Sequence, residues 1–145
     1  MDYDLIVIGA GNAGQAAATI AREAGWRVLV IESREVGGTC PLRGCVPKKV
    51  LVAAAELLDQ IARAPVHRIR VGKAKLDWPR LVSRKQTFVA GVPRSLEKSL
   101  KSQGIDVIHG RARFVDRTTV AIGDRRFPAR KVLVSSGSKP RALPI

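Results

Sequence analysis

The sequence predicts an α/β fold: a parallel sheet covered by helices, with a three-stranded antiparallel meander at one side. Three observations carry this. Short continuous apolar runs alternate with segments of helical spacing, as in buried parallel strands joined by helices. A Gly-x-Gly-x-x-Gly, Gly9–Gly14, lies between the first strand and the first helix. Late in the chain, three short alternating segments follow one another with only turn residues between them. A length of 145 residues suits one domain with a real core.

The first strand is expected over 4–8, where Leu5-Ile6-Val7-Ile8 is apolar throughout. The glycine loop leads into an alanine-rich helix over Gln15–Ala24, stopped by Gly25. A second strand covers 27–31 and is closed by Glu32. Strand, glycine loop, helix, strand and closing acid together make a dinucleotide-binding β-α-β. Gly9 permits the tight turn, Gly11 lets the backbone approach a pyrophosphate, and Gly14 lets helix and strand pack closely. The pyrophosphate would rest on the helix N-terminus, and Glu32 would accept from ribose hydroxyls.

Both cysteines lie in the next stretch, Val36–Lys49, fenced by Gly37, Gly38, Pro41, Gly44 and Pro47. In a regular α-helix, Cα atoms five residues apart are about 8.7 Å apart, whereas a disulfide wants roughly 4.4–6.8 Å. Either the segment is helical and the thiols stay apart, or the first turn is distorted and they bond. Val50, Leu51, Ala54, Leu57, Leu58 and Ile61 continue at helical spacing, so a helix is expected over Pro47–Arg63. Cys40 and Cys45 therefore sit at or just before its N-terminus. There the dipole and the neighbouring Arg43, Lys48 and Lys49 favour thiolates, a setting for redox chemistry.

Ala64-Pro65 ends that helix, and Val66–Leu76 reads as a basic loop. Asp77 is placed as an N-cap, with Pro79 in the first turn. The helix it starts runs to about Ser102, kinked or split at Pro93 and ended by Gly104, with Leu81, Val82, Phe88, Val89, Leu96 and Leu100 inward. A third parallel strand is expected over 105–109. The meander follows as Arg111–Val115, Thr118–Ile122 and Arg125–Pro128, then a fourth parallel strand over 131–135. The expected spatial order is third strand, second, first, last. His67, His109, Trp26 and Trp78 read as structural.

Lysine and arginine number 26 against 12 acids, for a net charge of +14. The basic residues are spread out, and the densest run, His67 to Lys75, has no aromatic interleaving. No nucleic-acid module pattern is present, so no nucleic-acid partner is expected. No apolar run approaches the ~18 residues of a membrane span, and neither a signal peptide nor a metal site is read in the sequence. Two cysteines without an export signal favour a catalytic pair over a structural bridge, and the expected compartment is cytoplasmic.

These motifs resemble the N-terminal part of the flavoprotein pyridine nucleotide-disulfide oxidoreductases, the glutathione reductase and dihydrolipoamide dehydrogenase family. The resemblance rests on Gly9–Gly14 with Glu32, on Gly37-Gly38-Thr39-Cys40 through Cys45-Val46-Pro47-Lys48-Lys49, and on Ser135-Ser136-Gly137-Ser138-Lys139-Pro140. It covers essentially the whole chain, and Cys-Val-Pro-Lys-Lys is closest to the glutathione reductase branch. Pro41-Leu42-Arg43 departs from the usual Val-Asn-Val or Leu-Asn-Val. Ser135-Ser136 stands where Ala-Thr is usual.

The resemblance implies a Rossmann-like FAD-binding domain over 1–145, and an enzyme passing electrons from NAD(P)H through FAD to a Cys40–Cys45 disulfide and on to a disulfide substrate. It implies that Cys45 lies against the flavin and that Cys40 attacks the substrate. Lys49 would sit near the flavin N5 edge and Thr39 at the flavin side. The Gly110-Arg111-Ala112 backbone would lie near the adenine. Asn12, Ala13, Ser33, Gly38, Ser136 and Gly137 complete the implied FAD site. NADP or NAD would be co-substrate, and the full-length protein a homodimer acting on a low-molecular-weight or protein disulfide. The family's NAD(P)-binding and dimerisation domains have no room before Ile145, so the chain is expected to be a fragment. The alternative is a stand-alone FAD-binding or redox thiol module without turnover.

Overall fold

The structure, a computed structural model, describes residues 2–144. They fall into two compact units: residues up to Gly38 together with those from Pro93 onward, and Thr39–Val92.

The first unit is built on a six-stranded sheet of order β3-β2-β1-β6-β5-β4. Its strands are β1 (Tyr3–Ile8), β2 (Val28–Glu32), β3 (Asp106–His109), β4 (Arg113–Phe114), β5 (Thr119–Ile122) and β6 (Arg125–Val134). β3, β2, β1 and the second half of β6 are parallel, in the order the sequence predicts. Alternate residues face opposite ways along a strand, and this makes two cores. Leu5, Val7, Val28 and Val30 pack with Ala18 of α1 (Asn12–Glu23) and Leu100 of α5 (Val92–Ser102). Ile6, Leu29 and Ile31 pack on the other face with Val120, Phe127 and Ala129 of the meander. Each large apolar side chain so buried contributes about 1.5–3 kcal/mol.

One expectation is corrected. The third meander segment and the fourth parallel strand are a single ten-residue strand, β6. Arg125–Pro128 pairs antiparallel with β5, and Ala129 and Lys131–Val134 pair parallel with β1. Pro128 lacks an N–H and suggests a strand end. It sits instead where the strand changes neighbours, and Ala129 N–H restores the ladder by donating to Thr118 O at 2.8 Å. β4 is also shorter than expected, with two residues.

The second unit contains α2 (Thr39–Arg43), α3 (Cys45–Arg63), a 3-10 turn at Ala64–His67 and α4 (Trp78–Thr87). Asp77 caps α4, its carboxylate accepting from Arg80 N–H at 3.0 Å. Of the two arrangements expected at Pro93, kinked or split, the structure has the split. α4 ends at Thr87, and Pro93 stands in the first turn of α5, where its missing N–H costs nothing. Of this unit's residues only Pro47 and Val89 are buried, while Val66, Ile69 and Trp78 are exposed.

Candidate functional site

In the first unit the parallel strands end along one edge, and the residues expected from the sequence to bind a dinucleotide gather there. Gly9 follows β1, and a Cβ there would run into the backbone carbonyl of Ser135 after β6. Its φ of +105° also favours glycine. A Cβ on Gly14 would strike the Gly9 carbonyl, so helix and strand approach as closely as the sequence predicts. Gly11 is different. Its backbone is extended, with φ −78°, and a Cβ would meet only Gly38 Cα at 3.9 Å. Neither conformation nor packing calls for glycine at position 11; the space above it suits a ligand. α1 begins there with no side-chain cap and no acid in its first turn. Its first amides, at Asn12, Ala13 and Gly14, are thus available to an anion.

Glu32 is the one buried charged side chain among the described residues. Its Oε2 accepts from Ala10 N–H at 2.7 Å and its Oε1 from Arg34 N–H at 2.8 Å. These fix the carboxylate while leaving acceptor capacity on both oxygens, as a ribose diol needs. Gly110 N–H donates to Glu32 O at 2.8 Å, which brings the start of Gly110-Arg111-Ala112 beside the end of β2. Gly37 N–H donates to Ala10 O at 2.9 Å, and Gly38 closes on Gly11, where a Cβ would lie 2.8 Å from Gly11 Cα. Ser33, Ser136 and Gly137 are exposed beyond the ends of β2 and β6. These residues fit a dinucleotide: a cradle over Gly11, free helix amides and a fixed buried carboxylate.

The contacts of two residues here escaped the sequence reading, although Ser135 stands out there as a departure from the usual Ala. Gln15 Nε2 donates to Ala10 O at 2.8 Å. Ser135 Oγ donates to the carbonyls of Ile8 and Gly9 at 3.0 and 2.9 Å. A lone polar residue at a strand or helix end carries no spacing signal. The same unit has a cleft of about 560 Å³ lined by Arg34, Val36, Pro93, Arg94, Lys98 and His109, among others. His109 pairs there with Glu97 at 2.9 Å, the structural role expected of it. Lys101 first, and then His109, hold the Glu97 carboxyl below its usual range.

In the second unit, Thr39, Cys40, Cys45 and Lys49 lie at the head of the helical pair. α2 and α3 are separated at Gly44, whose φ of −125° and ψ of −109° break the helix. A Cβ at Gly44 would stand 3.0 Å from Thr39 O and 3.4 Å from Cys40 Cα. The structure shows neither of the two arrangements open in the sequence in full: the first turn is distorted, yet the sulfurs are not bonded, and the Cys45 thiol is hydrogen-bonded to Cys40. Both cysteines are thiols in this structure. Lys49 follows Cys45 by four residues on α3, on the same helix face.

One expectation for the thiols is corrected. Cys45 was expected to favour its thiolate, yet its pKa is raised. The hydrogen bond to Cys40 is the main cause, followed by the charge on that sulfur and a little desolvation; Cys45's own backbone amide and Lys48 pull weakly the other way. The helix start is outweighed by the second sulfur. In the chain alone Cys45 is exposed and Cys40 half-buried.

A family model described as pyridine nucleotide-disulphide oxidoreductase matches residues 3–145. The chain belongs to this family. Members of the pyridine nucleotide-disulphide oxidoreductases are FAD-dependent and use NAD(P)H as co-substrate. The chain is 39% identical over 145 residues to a dihydrolipoyl dehydrogenase of Chlamydia muridarum, covering 98% of this chain and 31% of that protein. It is 40% identical over 139 residues to a glutathione reductase of Nostoc, covering 96% and 30%. Among solved structures, the HOCl-induced flavoprotein disulfide reductase RclA from Escherichia coli matches with a TM-score of 0.81 and 29% identity, over 99% of this chain and 30% of that one. The chain thus spans about three tenths of the length of these relatives.

Proposed function

We propose that this chain forms the FAD-binding and dithiol-bearing part of an NAD(P)H-dependent flavoprotein disulfide reductase. The observation that carries the reading is the Gly44 break, which brings the Cys45 thiol to Cys40 at the head of α3. Gly9, Gly11, Asn12, Ala13, Gly14, Glu32, Ser33, Gly38, Thr39, Lys49, Arg111, Ala112, Ser136 and Gly137 would hold the cofactor. When bound, FAD supplies the two-electron relay from NAD(P)H to the Cys40–Cys45 disulfide.

The chain's own part is thiol–disulfide exchange. Cys40 attacks one sulfur of the substrate disulfide, and the other substrate sulfur leaves as a thiolate and takes a proton. Cys45, deprotonated in turn, attacks Cys40, expels the second substrate thiolate and closes the Cys40–Cys45 bond. Two electrons pass from the thiol pair to the substrate. Lys49, one turn from Cys45, would place a positive charge beside the flavin. We infer a low-molecular-weight disulfide substrate close to glutathione disulfide, a cytoplasmic setting and a homodimer for the whole protein.

The test uses the full-length protein. Gly11→Val puts a side chain into the space expected for the pyrophosphate, so flavin absorbance should be lost on desalting while the circular dichroism spectrum is kept. Cys40→Ser and Cys45→Ser should each retain flavin and each lose at least about a thousandfold in NAD(P)H-dependent reduction of glutathione disulfide, as expected when a covalent nucleophile or its partner is removed. Retained flavin in Gly11→Val would sink the cofactor assignment; turnover in Cys45→Ser would sink the thiol assignment.

A further inference from the structure

We propose that Ser135 is a positioning residue that sets the ribose-binding carboxylate of Glu32 through the Gly9–Ala10 peptide. The inference rests on the reading that the Gly9–Gly14 loop holds FAD.

Ser135 stands just beyond β6 and is tied to β1 twice. Its N–H donates to Ile8 O at 2.8 Å, and its hydroxyl is shared between Ile8 O at 3.0 Å and Gly9 O at 2.9 Å. The backbone bond continues the parallel ladder; the hydroxyl adds a contact that any apolar residue would lack. It reaches the carbonyl of the first loop glycine, and a peptide plane is rigid. Fixing the Gly9 carbonyl therefore fixes the direction of the Ala10 N–H on the far side of the same plane. That N–H donates to Glu32 Oε2 at 2.7 Å. The result is one chain of donors: Ser135 hydroxyl to Gly9 carbonyl, across the peptide, Ala10 amide to Glu32 carboxylate. Consecutive bonds in such a chain polarise one another.

The Gly9–Ala10 peptide is thus gripped at both ends, by a hydroxyl from β6 and a carboxylate from β2. Gly14 sits against the same place, since a Cβ there would come within 2.7 Å of Ser135 Oγ. The space around the hydroxyl is closed, so it has little freedom to turn elsewhere. Without it, the Gly9 carbonyl would keep only its approach to Gly14, and the peptide could rotate. Glu32 would then lose the direction of one of its two amide donors. Ser135 itself touches no ligand in this account; it acts through the loop.

The experiment uses the full-length protein with Ser135→Ala, Glu32→Gln and the double variant. FAD release is followed by flavin fluorescence. Affinities for ADP and for 2′,3′-dideoxy-ADP are measured on the apoprotein, and their ratio reports what the ribose hydroxyls contribute. Ser135→Ala should speed FAD release and shrink the ADP preference by about fivefold, the worth of one ordinary hydrogen bond. In the Glu32→Gln background the same substitution should leave the ratio unchanged, because the group it acts through is already altered. A lowered melting temperature with an unchanged ratio would show a merely structural tie and overturn the proposal. So would a ratio that falls equally in both backgrounds. A wild-type protein that binds neither FAD nor ADP would instead remove the cofactor reading itself, and this inference with it. If Ser135→Ala fails to fold, Ser135→Cys keeps the volume, weakens only the donor and should give a smaller fall in the same ratio.

Discussion

At the scale of single residues, the dithiol sets two influences against each other. A helix start and Lys48 favour a thiolate at Cys45, while the hydrogen bond to Cys40 and that sulfur's charge oppose it and prevail. Cys45 should therefore need a pH above the ordinary thiol range before it reacts. In the reduced apoprotein, iodoacetamide labelling of Cys45, followed by mass spectrometry against pH, should rise late. Cys40→Ala removes the main cause and should move that rise to lower pH. An unchanged profile in Cys40→Ala would mean that burial or the backbone, not the second sulfur, holds the proton. Residues of this kind were partly legible in the sequence. Cysteines and glycines announce themselves by spacing, so Cys40, Cys45, Gly9 and Gly14 were placed correctly on their turns and helix starts. The contacts of Ser135 and Gln15 were not legible, although Ser135 stands out where Ala is usual: a hydroxyl or amide aimed at a carbonyl leaves no pattern along the chain.

At the scale of elements, Gly44 is the joint on which the thiol arrangement depends. A Cβ there already approaches Thr39 O at 3.0 Å, and a branched side chain would need more room still. Gly44→Val should push the end of α2 away from the start of α3, at a cost of about 1–3 kcal/mol for the crowding. Mass spectrometry after mild oxidation should find much less Cys40–Cys45 linkage than in the wild type. Full linkage would show that α2 adjusts freely and that Gly44 does not set the pair. Helix starts were well foretold where a cap or proline marks them, as at Asp77. The division between α4 and α5 was harder to place. Pro93 reads as a kink or as a split, and only the turn over Phe88–Gly91, with no distinctive cap of its own, decides between them.

At the scale of the whole molecule, the sheet order could be read because parallel β-α-β connections leave few arrangements. What could not be read was that β6 belongs to both the meander and the parallel sheet. Phe127 shows the consequence for stability. It lies in the antiparallel half of β6 yet is buried, 8% exposed, in the same cluster as Ile6, Leu29 and Ile31 of the parallel strands. Phe127→Ala should cost about 3–5 kcal/mol and lower the melting temperature in one transition. Two separated transitions would indicate that meander and parallel sheet unfold apart.

The continuity of β6 also bears on how the protein is made. β1 leaves the ribosome before β2, which can pair with it on one side within some thirty residues. Its other side waits: Tyr3 is matched with Ala129 and Ile8 with Val134, so the partner for that edge is synthesised far later along the chain. Until then a central apolar strand presents an open row of amides and carbonyls to its surroundings. Pairings this distant along the chain are slow to form, and an unpaired edge invites the wrong neighbour. The nascent chain is thus most exposed to mispairing until β6 arrives, and a chain released before residue 134 would carry β1 with one side uncovered.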